Sequence, residues 1–120
     1  MINDVNLYDS NGFLKVYKQL FKMGMPGETV LIFSWLVDIY DFNQYLLVKN
    51  IDGVEYKRFS TNFINENLNL NYNRQKMKEI FDSLEKAGYL TVKNISWDGE
   101  ENKNGERFVH LNSKVLEIEE

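Results

Sequence analysis

Apolar and polar residues alternate along this 120-residue chain with two different periods. From Phe13 to Met23 ("FLKVYKQLFKM") apolar side chains fall at 13, 14, 16, 17, 20 and 21, the spacing of a helix, with Lys15, Lys18 and Lys22 together on its outer side. "GMPGE" (Gly24 to Glu28) punctuates the chain, and "TVLIFSWLVDIY" (Thr29 to Tyr40) then reads as a buried helix. Between Tyr45 and Ser60 the pattern becomes two β-rich runs around Asp52-Gly53, a favoured pair for a tight hairpin turn. Ser60 or Thr61 can cap a short helix that turns Phe63, Ile64 and Leu68 inward, because a hydroxyl accepts otherwise unpaired N–H groups of the first turn. "LNLN" (Leu68 to Asn71) follows as a turn without glycine.

The next stretch carries the strongest periodicity. With Asn71 or Asn73 as the cap, Met77, Ile80, Phe81 and Leu84 follow i, i+3, i+4, i+7 and face a core. Gln75, Glu79, Asp82 and Lys86 point nearly the opposite way; Asn71, Tyr72 and Lys78 lie near that exposed face, with Arg74 and Lys76 on its flanks. Gly88 ends the helix. Tyr89 to Ile95 alternates as a strand, "SWDGEENKNGE" is a loop, and Arg107 to Leu111 returns as a second strand. The tail "SKVLEIEE" is a short helix or an extended acidic end. The expected fold is therefore α+β: a winged helix-turn-helix, with a helical core, a C-terminal β-hairpin wing and a short hairpin before the helix-turn-helix. One domain of residues 1–120 is expected, with its core at about 13–112.

"FSTNFINENLNLNYNRQKMKEIFDSLEKAGYL" resembles winged-helix DNA-binding proteins in its spacing of short capped helix, turn, longer helix and immediate strand. With "FLKVYKQLF" (Phe13 to Phe21), "GVEYKRFS" (Gly53 to Ser60) and "NGERFVHLN" (Asn104 to Asn112), the chain is similar to the N-terminal domain of RepA-type replication initiators of Gram-positive plasmids and phages. Members of that family continue into a second domain. The resemblance implies sequence-specific binding of double-stranded DNA by a mobile genetic element, in replication initiation or transcription regulation.

Charge sharpens that expectation. The net charge is −4, yet residues 57–78 hold Lys57, Arg58, Arg74, Lys76 and Lys78 against Glu66 alone. A local basic strip outweighs the overall balance as a signal for nucleic acid. In the second helix, Arg74 suits guanine and Gln75 or Asn73 adenine, because those side chains bond base edges in pairs. Lys76 and Lys78 would meet phosphates, Tyr72 would pack on sugar or backbone, and Asn71 lies beside them. Lys57, Arg58, Ser60 and Thr61 extend the strip toward the DNA backbone. The plainer reading of the same residues is a solvated helix face and charged strand edges.

The loop "SWDGEENKNGE" is acidic, unlike a basic DNA-binding wing, so a protein partner met through it is the alternative: a small phage or plasmid protein using the fold to modulate another protein. The first helix carries Leu14, Val16, Tyr17, Leu20, Phe21 and Met23, more apolar positions than one small core needs, and a homodimer through it is expected. There are no cysteines, His110 is the only histidine, and no nucleophile triad, phosphate loop or metal-ligand spacing is present. Neither an enzyme nor a cofactor is expected. Trp35, Phe33, Phe63, Phe81 and Leu84 read as core, and Trp97 as packing under the wing or an interface. The longest apolar run is broken by Asp38 and no leader is visible, which points to a cytoplasmic protein away from membranes.

Overall fold

The computed structural model describes residues 20–22, 24–40, 46–96 and 98–112. The chain divides into two units, residues 1–44 with 113–120, and residues 45–112. Most of the expected first helix and its pairing face, the acidic tail and Trp97 lie outside the described residues. Among those described, no helix is long and apolar enough to cross a membrane.

In the first unit, Gly24 (φ 80°) closes a turn in which its N–H donates to Phe21 O (3.0 Å) and Met25 N–H to Leu20 O (3.2 Å). Helix α1 (Gly27–Tyr40) starts two residues before the apolar run. The Pro26 carbonyl takes the Thr29 and Val30 N–H groups (3.0 and 3.1 Å), so the helix is already closed at its first turn. Val30, Ile32, Phe33, Leu36 and Tyr40 are buried along it, and Trp35 is half-buried. Burial raises the carboxyl pKa of Asp38.

The second unit is α+β. It contains strands β1 (Val48–Ile51) and β2 (Val54–Arg58), helices α2 (Thr61–Leu68) and α3 (Arg74–Lys86), and strands β3 (Leu90–Ile95) and β4 (Glu106–Leu111). The strands form one antiparallel sheet in the order β1-β2-β4-β3. The expected hairpin is present: β1 and β2 meet at Asp52 (φ 53°) and Gly53 (φ 82°), both left-handed, as the twist-matched two-residue turn requires. β2 joins β4 through Lys57↔Val109 and Arg58↔Phe108, so the helix–turn–helix segment runs out from the sheet and back. The order is helix, turn, helix, hairpin, with a preceding strand added to the hairpin.

Residues alternate between the two sheet faces. On one, Val109 is fully buried and Leu90 nearly so, and α3 packs against β3. Met77, Ile80, Phe81 and Leu84 are all buried, as their spacing predicts, each stabilising by about 2 kcal/mol. On the other face Tyr56, Ile95 and Phe108 cluster with Ile51. His110 sits there beside Tyr56, ring centroids 5.7 Å apart, and its Nδ1–H donates to the Glu55 carbonyl (2.9 Å).

Helix α3 ends in two nested bonds. Gly88 (φ 89°) donates to Glu85 O (2.9 Å), and Tyr89 donates to Leu84 O (3.2 Å). Of the residues expected to turn inward from α2, Ile64 is fully buried while Phe63 and Leu68 are half-buried.

Candidate functional site

Asparagine builds the connection that aims α3. Ser60 caps α2, its Oγ accepting the Phe63 N–H (3.1 Å). At the other end Asn69 takes the left-handed conformation (φ 55°) usual for glycine, which an Asn side chain tolerates better than most. The Asn65 carboxamide then brackets the Tyr72 backbone: Nδ2 donates to Tyr72 O (2.8 Å) and Oδ1 accepts its N–H (3.2 Å). One side chain thus meets both a donor and an acceptor of the turn's backbone. Asn73 caps α3, its Oδ1 accepting the Lys76 N–H (2.8 Å).

The candidate residues fall into distinct environments. Asn71, Asn73, Arg74, Gln75 and Lys78 are exposed, and Tyr72 and Lys76 half-buried, with the Lys76 ammonium 5.9 Å from the Tyr72 ring centre. Along the exposed face, Lys78 Nζ donates to Asp82 (2.7 Å) and Gln75 Nε2 to Glu79 (3.2 Å). The bond to Asp82 raises the Lys78 pKa, so its charge is secure at neutral pH. Arg74 has no ion-pair or hydrogen-bond partner among the described residues.

Three of the expected contact residues already hold partners within the fold. The Asn73 Oδ1 accepts the Lys76 N–H as the cap of α3 and keeps its second lone pair. The Ser60 Oγ accepts the Phe63 N–H as the expected cap of α2 and keeps its own proton to donate. Arg58 is held by Glu106 (3.1 and 3.3 Å), across the sheet from the face of α3.

A cleft of about 500 Å³ opens where the first turns of α2 and α3 meet the start of β4, and Ser60, Thr61, Tyr72, Asn73 and Arg74 line it. A second of about 350 Å³ continues along α3 past Gln75 and Lys78. Arg74, Asn94 and Arg107 line both. Lys57, Arg58, Asn71 and Lys76 line neither.

Arg107, which the sequence placed only as the first residue of a strand, joins the site. It is half-buried, its guanidinium carbon 4.6 Å from the Phe81 ring centre. Nη1 donates to Phe59 O (3.1 Å) and Thr61 Oγ1 (3.4 Å). Burial, and then the nearby Arg74 charge, push its pKa down to about 10. The signal was there: at a period of two, Arg107 shares the face of Val109, which is buried.

The loop after β3 carries the opposing charge. Asp98, Glu100 and Glu101 are exposed, and Glu101 binds Lys93 Nζ (2.8 Å). The Ser96 hydroxyl and the Glu100 N–H hold the Asp98 carboxyl below its ordinary range. Comparison with known proteins finds no matching family model, no matching curated protein and no matching solved structure.

Proposed function

We propose that residues 45–112 form a winged-helix domain that binds double-stranded DNA, with α3 as the helix entering the major groove and β3–β4 as the wing. The observation that carries the reading is the joining of a capped helix–turn–helix to a hairpin, with the exposed start of α3 holding Arg74, Gln75 and Lys78 and no acid in its first turn. A helix of this kind fits the groove, and its first residues are the ones that reach base edges. Arg74 is the candidate for guanine and Gln75 for adenine; Lys76 and Lys78 meet phosphates. The likeness to RepA-type initiators supports a role for a mobile genetic element in replication initiation or transcription control, within the cytoplasm.

The test is fluorescence anisotropy with random and origin-like duplexes under a salt titration. Affinity is expected to fall steeply with salt as counterions are released, and the Arg74→Ala/Lys78→Ala variant is expected to lose binding. No binding at low salt overturns the reading.

A second reading is docking of a protein partner on the wing. It is favoured by the exposed Asp98, Glu100 and Glu101 of the loop between β3 and β4. Affinity insensitive to salt, lost when those acids are neutralised, would select it.

A further inference from the structure

We propose that the cleft between α2, α3 and β4 seats a phosphate group between the guanidinium groups of Arg74 and Arg107. The proposal deepens the DNA-binding reading, moving Arg74 from a base edge to a phosphate, and rests on that reading only for the source of the phosphate.

Arg107 is positioned before any ligand arrives. Its guanidinium sits over the Phe81 ring, and Nη1 is tied to Phe59 O and Thr61 Oγ1. An arginine has five N–H donors, and no bond from Nε or Nη2 is made among the described residues. None of the described carboxylates pairs with it either. A partly buried cation facing a second cation is costly. An anion between the two relieves both the desolvation and the repulsion that depress the Arg107 pKa.

The surroundings favour a phosphate over a carboxylate. A carboxylate receives guanidinium forks only near its own plane, whereas a tetrahedral oxyanion offers acceptors in several directions to two forks that are not coplanar. The first turns of α2 and α3 open on the same cleft, adding positive helix ends to the two side chains. Thr61 Oγ1, having accepted from Arg107, keeps its own proton to donate. Glu106 is the acid on the rim, and Arg58 binds it at 3.1 Å, which offsets its charge. A cleft of about 500 Å³ admits a phosphate with chain on either side of it.

The experiment follows arginine Nε–Hε resonances by NMR while inorganic phosphate is added to the full chain, against chloride at equal ionic strength. A saturable shift of Arg107 is expected with phosphate alone. Arg74→Ala weakens it roughly tenfold, the scale of one charge-assisted hydrogen-bond pair. Arg107→Lys keeps the charge but loses the fork; read from the Arg74 Nε–Hε resonance, which should shift saturably in the wild type, it is expected to abolish saturation with an unchanged circular dichroism spectrum. Duplex DNA then identifies the source. If DNA displaces the phosphate, and Arg74→Ala lowers the salt slope by about one, the seat holds a backbone phosphate. If phosphate saturates and no duplex displaces it, the seat holds a free phosphate-bearing ligand rather than a DNA backbone, and the anisotropy titration alone decides the DNA reading. If phosphate behaves as chloride does, the seat is overturned, whether or not DNA binds elsewhere on α3.

Discussion

Two polar connectors of the same sheet-and-helix unit are built alike and charged differently, one neutral and leading into Arg74, the other acidic. The α2–α3 turn and the β3–β4 loop both use asparagine, both contain a left-handed residue (Asn69 at φ 55°, Gly99 at φ 90°), and both are closed by side-chain-to-backbone bonds. In the turn the closing groups are neutral amides, which leaves Arg74 unengaged at its end. In the loop the closing groups include the acids themselves: Asp98 accepts from Ser96 and Glu100, and Glu101 is clasped by Lys93. A basic group left out of the scaffold can serve a partner, while an acid tied into its own loop is partly spent on holding shape. A net charge of −4 is therefore a poor guide to what the start of α3 meets.

The comparison can be broken at four places. The largest effect belongs to Gly105, which is buried against the start of the loop: a Cβ there would lie 2.4 Å from the Ile95 carbonyl carbon and 2.7 Å from Ser96 N. Gly105→Ala is expected to cost about 3 kcal/mol in urea unfolding, since backbone must move to make room. Next is Asn65→Ala, which strips the Tyr72 backbone of both partners. A loss of about 2 kcal/mol is expected, with faster hydrogen exchange from residues 69–73 and no change in the loop. Asn73→Ala removes only the α3 cap and is expected to cost about 1 kcal/mol; recovery by Asn73→Asp or Asn73→Ser would confirm the capping role.

The smallest effect concerns the loop's own acid. Because the folded pKa of Asp98 lies below the ordinary 3.8, its bonds contribute above that value and are lost as pH falls through the lowered one. A carboxyl ¹³C titration should place its midpoint below 3.8, and Ser96→Ala should move it back up. An unmoved midpoint would mean that the loop does not use its acids to close.

Local chemistry was legible in the chain, and distant packing was not. The i, i+3, i+4, i+7 run of Met77 to Leu84, the Asp52-Gly53 turn and the Gly88 stop each depend on residues within a turn or two, and all three appear as expected. The first turn of α1 was missed because the Pro26 carbonyl supplies its bonds, and a pattern of apolar positions does not register a carbonyl. Asn65 looked like one asparagine among many; its bracket reaches seven residues along the chain, across a turn with no regular period. Gly105 matters only because Ile95 and Ser96 pass beneath it. Of the candidate site, Arg74, Gln75 and Lys78 are where helical spacing put them, whereas Arg107 joins them only through the fold.

The sheet order has a consequence for how the molecule forms. The β1–β2 and β3–β4 hairpins each join strands adjacent in sequence, but the ladder joining them pairs residues about fifty positions apart, Arg58 with Phe108 and Lys57 with Val109. Closing so long a loop is entropically slower than zipping either hairpin. The helix–turn–helix lies within that loop, so its folding shortens the flexible span that the two-residue β2–β4 ladder has to close. Refolding kinetics should thus show the amides of Lys57 to Phe59 acquiring protection after those of β3 and β4. The fold's last seam to close is the one beside the cleft.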